Sequence, residues 1–251
     1  MTQYSDYFGP EGLRVRGTVL VVPGRGETRS TYARFGKRLA ADAYRVRVLD
    51  APDLTTEDLT TLAARLSEAA EDRAVEDGVV RPLVLVGADA GAAAVAALLG
   101  REPGGQPDAV VLAGLPGRAP GTTATAGTWD EELDVRTSCP AHRGALTQDP
   151  EVRRGSLDDA VPEAVLAAAY DSEAAVPTLL LVGDADPLAD HEALAHTAKS
   201  RPSARLSVVH GAHHDVLNDL QHRSVAAEVV TFLENVRNEL RPLITVRSSA
   251  W

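Results

Sequence analysis

The chain has 251 residues, of which 44% are hydrophobic, and carries a formal net charge of −11. This length and apolar content suit one domain with a sizeable core, so residues 1–251 are predicted to form a single domain. The acidic balance argues against nucleic-acid or anionic-membrane partners, which need clustered lysines and arginines. With no signal peptide and no apolar run of about 20 residues, the sequence favours a cytoplasmic location.

Short apolar runs alternate with segments of helical period along the chain. The predicted strands are 17–22, 44–50, 82–86, 109–112, 178–182 and 205–209. The predicted helices are 32–41, 57–73, 90–99, 190–199 and 223–240. This alternation is typical of an α/β fold, in which helices cover both faces of a mostly parallel sheet.

Residues 116–175 interrupt the alternation. The segment is first rich in Gly, Pro, Thr and Arg and then has a helical pattern over 157–170. An insertion before the penultimate strand would lie over the carboxyl ends of the strands, where open α/β sheets bind ligands. We therefore expect a small lid here, and an extended or disordered tail over 241–251.

A sharp strand-to-helix turn is predicted at 87–91, where the sequence reads GADAG. The motif follows an apolar strand and precedes an alanine-rich helix, which is the context of a nucleophile elbow. Small neighbours permit the strained backbone that exposes the central side chain, here Asp89. An ordinary turn is the alternative.

The loop at 21–32, VVPGRGETRSTY, resembles that of the monoglyceride-lipase and lysophospholipase branch of the α/β-hydrolase superfamily, which reads His-Gly-x-Gly-Glu-His and ends in Arg-Tyr. Four positions match the pattern: Gly24, Gly26, Glu27 and Tyr32. Pro23 and Thr28 replace its two histidines. The resemblance implies an α/β-hydrolase fold and an oxyanion hole formed by the main-chain N–H groups of Arg25 and Ala90.

Two later motifs resemble the acid and base segments of the same superfamily. The sequence GDADP at 183–187 aligns Asp186 with the acid, with Asp184 as the alternative by proximity. The sequence HGAHH at 210–214 aligns His214 with the general base, with His213 as the less favoured choice. The order Asp89, Asp186, His214 is the nucleophile, acid, base order of α/β-hydrolases.

An aspartate in the elbow changes the expected chemistry. A carboxylate that attacks an acyl carbon would give a costly anhydride, whereas displacement at an alkyl carbon gives an ester that water can open. Epoxide hydrolases and haloalkane dehalogenases of the superfamily work in this way. The usual halide-binding Trp after the nucleophile is Ala90 here, and Tyr170 is the only tyrosine in the insertion.

Three alternatives stay open. A lyase, isomerase or epimerase could use Asp89, with a pKa raised by burial, and His214 as an acid–base pair, while Arg25 clamps a substrate carboxylate. An unusual acyl or C–C hydrolase and a catalytically inactive binding protein are the others. Gly24, Gly26, Trp129 and Tyr170 are candidate substrate-binding residues. We expect a small-molecule substrate, no metal and no cofactor; a homodimer is left open.

Overall fold

The computed structural model describes residues 3–71, 78–99, 106–118, 127–173 and 175–249. Its centre is a seven-stranded sheet in the order β1-β3-β2-β4-β5-β6-β7. The strands are β1 Tyr4–Tyr7, β2 Thr18–Val22, β3 Arg45–Leu49, β4 Leu83–Ala88, β5 Ala109–Ala113, β6 Thr178–Gly183 and β7 Ala204–Val209. Only β1 is antiparallel to its neighbour among these described strands. The predicted α/β-hydrolase fold with a mostly parallel sheet is therefore confirmed.

Eight α-helices are described. They are α1 Ala33–Ala41, α2 Leu59–Ala70, α3 Ala90–Leu99, α4 Trp129–Arg136, α5 Pro140–Gln148, α6 Glu163–Asp171, α7 His191–Ser200 and α8 His222–Arg237. Short 3-10 turns lie at Arg29–Tyr32 and Ser156–Asp158. The six predicted strands and five predicted helices are confirmed to within a few residues; the last part of the predicted helix at 57–73 lies outside the described residues.

The sequence prediction missed β1, α4 and α5. β1 has only four half-buried residues, too few for a clear alternation. In α4 a run of three acidic residues in the first turn hides the apolar positions. The predicted lid at 116–175 includes residues 119–126 and 174, which lie outside the described residues. The tail at 241–249 forms no helix or strand, and 250–251 are not described.

Alternate side chains of the buried strands fill two separate cores, one on each face of the sheet. In β4, Leu83 and Leu85 pack with α2 and α3, whereas Val84 and Val86 pack on the face covered by α1 and α8. This period of two follows from the pleat of a strand. Because both faces are covered, the strands read as continuous apolar runs, and their carboxyl ends form one edge that is free to carry polar residues.

Residues 127–173, here called the insertion, cover that edge. Main-chain hydrogen bonds join the insertion to the two loops beneath it: the Arg153 N–H donates to the carbonyl of Gly26, and the His214 N–H donates to the carbonyl of Val135. In the part of the chain that the structure describes, every helix is too short or too polar to cross a membrane.

Candidate active site

Asp89 lies in a strained turn between β4 and α3. Its φ is 48°, in the left-handed region that side chains other than glycine rarely adopt. The flanking glycines permit the turn, because a Cβ on Gly87 would lie 2.5 Å from the Cα of Ala92 and one on Gly91 would lie 2.4 Å from the carbonyl oxygen of Val22. The predicted elbow geometry at 87–91 is therefore present, with Asp89 at its apex.

The Asp89 carboxylate is held by both the main chain and the side chain of Arg25. The Arg25 main-chain N–H donates to Oδ2 at 2.8 Å. Its guanidinium donates through Nε to Oδ2 at 2.8 Å and through Nη2 to Oδ1 at 2.7 Å. Such a two-pronged pair is among the stronger interactions of a carboxylate. Arg25 reaches Asp89 because β2 and β4 are neighbours and end at the same level.

His214 and Asp186 complete the group from the loops after β7 and β6. His214 Nδ1 lies 2.9 Å from Asp186 Oδ2. His214 Nε2 lies 3.1 Å from Asp89 Oδ1, but its direction is poorly aligned for a hydrogen bond. The other Asp186 oxygen accepts the main-chain N–H of Leu188. The structure thus brings the three predicted residues together, and the side chains of His214 and Asp186 are fully buried.

The charges alternate along this group. Burial alone would raise the pKa of Asp89, but the charges of Arg25 and His214 and the hydrogen bonds from Arg25 hold it well below its ordinary value. Burial alone would lower the pKa of His214, but Asp186 and Asp89 raise it to about 10. At pH 7 the group therefore consists of anionic Asp89 between cationic Arg25 and His214, and the net raised pKa of Asp89 that the lyase, isomerase or epimerase alternative assumed is wrong.

The insertion anchors Arg25 from above. Arg25 Nη1 donates to the main-chain carbonyls of Leu157 at 3.0 Å and Asp159 at 2.6 Å. The Arg25 carbonyl in turn accepts from Arg136 Nη2 at 2.9 Å and Ser156 Oγ at 3.0 Å. Both ends of this residue are fixed, so the Arg25 side chain closes the site over Asp89.

The space around the site is divided by Arg25. A cavity of about 10 Å³, roughly the room of one water molecule, touches Asp89, His214 and Tyr32. On the other side of the Arg25 side chain, an open groove of about 1140 Å³ runs between the insertion and the loop at 50–55. Arg25 and Ala90 line this groove, so a displacement of Arg25 would connect Asp89 with it.

The other predicted site residues have different places. Gly24 and Gly26 permit close packing, because a Cβ on Gly24 would lie 2.8 Å from the Cβ of Asp89 and one on Gly26 would lie 2.0 Å from Ser156 Oγ. Ala90 begins α3 directly after Asp89.

The two aromatic candidates do not face Asp89. Trp129 packs against the apolar cluster of the insertion, and its Nε1 donates to Thr147 Oγ1 at 3.1 Å. The Tyr170 hydroxyl donates to the carbonyl of Pro116 at 3.0 Å, and its ring packs in the core beside α3. Both side chains have packing partners away from Asp89, and their assignment to substrate binding stays a prediction.

A second buried group of charges adjoins the first and was not predicted. The ligand atoms of Glu27, His142 and Asp215 lie within 4.8 Å of one another, a set that could hold a metal ion. Arg136 already supplies a positive charge, with Nη1 3.6 Å from Asp215 Oδ1. Glu27 matched the sequence pattern of the loop and so carried a signal. Arg136 and His142 lie in the insertion, where the sequence has no motif.

Glu27 is fixed on one side only. Its Oε2 accepts the Gly24 N–H at 2.9 Å and the Tyr32 hydroxyl, whereas its buried Oε1 has no hydrogen-bond partner. Burial and the charge of Asp215 raise the pKa of Glu27 to about 7. This carboxyl therefore titrates near neutral pH, two residues from Arg25.

Comparisons with known proteins bear on the family and the fold of the chain. The family model for serine aminopeptidase, S33, matches residues 14–221. No curated protein matches the chain in sequence comparison. A soluble variant of monoglyceride lipase from Saccharomyces cerevisiae, solved with a substrate analog, is similar in structure with a TM-score of 0.71, 18% identity and coverage of 93% of this chain and 91% of that one. Monoacylglycerol lipase from Paleococcus ferrophilus gives a TM-score of 0.70 at 18% identity, covering 94% and 99%.

At these identities the solved structures establish the fold, and the family follows from the model that spans most of the chain. The monoglyceride-lipase-like resemblance of the loop at 21–32 is in line with both. The chain is therefore a hydrolase of the α/β-hydrolase superfamily and belongs to the S33 serine aminopeptidase family.

Proposed function

We propose that the protein hydrolyses a small molecule through an ester formed on Asp89. The observation that carries this proposal is the state of the Asp89 carboxylate, which is ionised, has Oδ2 on the main-chain N–H of Arg25, and has Oδ1 facing His214 Nε2 at 3.1 Å. An ionised carboxylate is the form that nucleophilic attack on an alkyl carbon requires, and the protonated His214 beside Oδ1 can supply a proton to the leaving group.

The first step is displacement at an alkyl carbon. Asp89 Oδ1 forms a bond to that carbon, and the bond to the leaving group breaks with its electron pair. A leaving oxygen, such as that of an epoxide, takes the proton from His214 Nε2; a halide leaves as the anion. The pKa of about 10 means that His214 carries this proton at neutral pH. Asp89 is then a neutral ester.

The second step opens the ester. Where the leaving oxygen has taken its proton, His214 is neutral and can accept a proton from a water that attacks Cγ of Asp89. Where a halide has left, the loss of the Asp89 charge lowers the pKa of His214, so that it can first release its proton to solvent. The negative charge that develops on Oδ2 meets the Arg25 N–H, which already lies 2.8 Å away. When the intermediate collapses, the alcohol leaves with a proton and the Asp89 carboxylate is restored.

The pKa of Asp89 favours this reaction over the non-covalent alternative. A lyase or epimerase would need Asp89 to accept a proton from substrate, and a pKa held well below its ordinary value makes it a weak base. The same low pKa keeps the nucleophile ionised at all physiological pH values.

The test is to trap the ester. His214→Gln removes the group that activates water, so incubation with alkyl halides should leave a stable mass increase on the protein, located at Asp89 by peptide mapping. An alkyl halide suits the trap because bromide needs no proton to leave. Asp89→Asn should abolish labelling.

A neighbouring histidine offers a matched control. His213 lies beside His214 in sequence but pairs with Asp219, with Nδ1 3.1 Å from Oδ2. His213→Gln should turn substrate over as the wild type does and accumulate no ester. If the wild type consumes a compound and His214→Gln never carries an adduct at Asp89, the nucleophilic role is wrong. Turnover that survives in Asp89→Asn would have the same consequence.

A further inference from the structure

The guanidinium of Arg25 makes two independent sets of contacts. Nε and Nη2 bind the Asp89 carboxylate, and Nη1 binds the main-chain carbonyls of Leu157 and Asp159. The second set belongs to the insertion and does not depend on Asp89. One edge of the guanidinium can therefore exchange one carboxylate for another while the opposite corner stays bound to the insertion.

The proposed reaction removes the partner of Arg25. When Asp89 becomes an ester it loses its charge, and both neighbouring cations lose an anion. His214 can release its proton, but an arginine stays charged in a protein. The side chain of Arg25 is only 8% exposed, so its charge in the ester state is poorly solvated. A buried guanidinium in that state needs a new anion.

In the groove beside Arg25, the carboxylates of Asp50 and Asp159 already pair with other arginines. The other arginines among the residues that line the groove are already paired: Arg29 Nε lies 2.9 Å from Asp50 Oδ1, and Arg153 Nη1 lies 2.5 Å from Asp159 Oδ2. These pairs are untouched by the reaction, so Asp50 and Asp159 are already engaged by other arginines. The missing anion is therefore best supplied by the substrate.

We propose that Arg25 binds a carboxylate of the substrate, carried next to the carbon that Asp89 attacks. The substrate class is then small carboxylic acids with a leaving group or an epoxide on the neighbouring carbon. In the empty site the Asp89 carboxylate occupies the guanidinium edge that the substrate carboxylate takes during the reaction. This inference rests on the proposed nucleophilic role of Asp89.

Bromoacetate illustrates the balance of the step. Asp89 Oδ1 bonds to the CH₂ carbon, the C–Br bond breaks with its electron pair, and bromide leaves. The charge lost from Asp89 is replaced at Arg25 by the carboxylate of the carboxymethyl group now bound to Asp89. Bromoacetamide has nearly the same size and leaving group but carries no charge, so its ester would leave Arg25 without an anion.

The experiment compares these two probes on the folded His214→Gln protein. The rate of mass increase at Asp89 is measured for each, and each rate is divided by the rate of the same probe with acetate in solution. We expect bromoacetate to label Asp89 about 100-fold faster than bromoacetamide after this correction, because the site discriminates by a two-pronged charged contact.

Variants of two arginines that line the groove test which of them causes the preference for bromoacetate over bromoacetamide. In the His214→Gln background, Arg25→Gln should remove the preference for bromoacetate, and Arg29→Gln should keep it, since Arg29 is paired with Asp50. If Arg25→Gln does not fold, the comparison of the two probes on His214→Gln alone still decides.

The outcomes separate the two proposals. Labelling of Asp89 by both probes at equal corrected rates would overturn carboxylate recognition and leave the nucleophilic role intact. A preference that persists in Arg25→Gln would also overturn the role of Arg25. Absence of any label at Asp89 with both probes would contradict the nucleophilic role, and the inference with it.

Discussion

Two buried charge networks lie side by side at the carboxyl edge of the sheet, and the pKa values of their buried carboxyl groups shift in opposite directions. Around Asp89, the pKa of the carboxylate is held well below its ordinary value. Around Glu27, the pKa of the carboxyl is raised to about 7. Both side chains are almost completely excluded from water.

The difference lies in the partners. Asp89 faces two cations, Arg25 and His214, which more than offset its desolvation. Glu27 faces the like charge of Asp215 and has one oxygen without a hydrogen-bond partner, while Arg136 is shared with other carboxylates. The comparison teaches that pairing, and not depth of burial, sets the ionisation at this edge of the sheet.

The largest effect is expected from removing the positive charge of Arg136 from the network around Glu27. Arg136→Met would leave Glu132, which lies 2.8 Å from Arg136 Nη2, and Asp215 buried without that charge. We expect a loss of about 3–5 kcal/mol in the free energy of unfolding. Urea unfolding followed by circular dichroism measures it.

A less buried arginine of the same segment serves as control. Arg143 pairs with Asp134, whose side chain is 71% exposed, so Arg143→Met should cost less than about 1 kcal/mol. Equal losses in the two variants would mean that Arg136 acts by packing and not by its charge.

The second largest effect is expected from removing the ionisable carboxyl of Glu27, which should change how stability depends on pH. Since the pKa of about 7 in the folded chain lies above the ordinary 4.5, the folded state binds more protons between these values, and stability falls as the pH rises through this window. The loss is complete above about pH 7 and amounts to about 3 kcal/mol. Glu27→Gln should abolish this part of the pH dependence.

Unfolding in urea at pH 5 and pH 8 makes the comparison. The difference in the free energy of unfolding between Glu27→Gln and the wild type should favour the variant more at pH 8 than at pH 5. Glu239→Gln, at a side chain 77% exposed, should follow the wild type at both values. A Glu27→Gln profile parallel to that of the wild type would show that Glu27 does not titrate near pH 7.

A smaller effect is expected from weakening the first network. Asp89→Asn removes the charge that faces His214 Nε2, so the pKa of His214 should fall from about 10 toward its ordinary 6.5. In the wild type, protonated His214 stabilises the fold in full below pH 6.5, and this contribution is lost as the pH rises toward 10. The variant should lose less stability over that range.

An NMR titration of the His214 ring measures the pKa directly. Asp184→Asn, which alters the exposed pair with His210, is the control and should leave the His214 titration unchanged. If Asp89→Asn also leaves it unchanged, Asp186 alone accounts for the raised pKa of His214.

The smallest effect concerns one hydroxyl. Tyr32 donates to Glu27, so Tyr32→Phe should cost about 1–2 kcal/mol at pH 8, where Glu27 is ionised, and less at pH 5. Tyr170→Phe loses a hydrogen bond to the neutral carbonyl of Pro116, and its cost should be the same at both values. A pH-independent cost for Tyr32→Phe would contradict the titration of Glu27.

Much of the fold was predictable because its strands, helices and turns depend on residues that are close in the sequence. The apolar runs of β2 and β4 to β7 and the elbow at 87–91 follow from periodicity and from the small residues that a sharp turn requires. Asp89, Asp186 and His214 each follow a predicted parallel strand, which was enough to expect them at one edge, and they meet there.

The sequence by itself thus determined six of the seven described strands, the turn at 87–91 and the places of Asp89, Asp186 and His214 after strand ends, since each of these depends on neighbours in the chain. Only the tertiary structure decided that the Arg25 side chain lies on Asp89, that Tyr170 and Trp129 turn away, and that Arg136 joins Glu27 and Asp215. The pair of Arg25 and Asp89, for example, joins residues that are 64 positions apart in the sequence. Their energies depend on burial and on opposing charges, which exist only once the chain has folded.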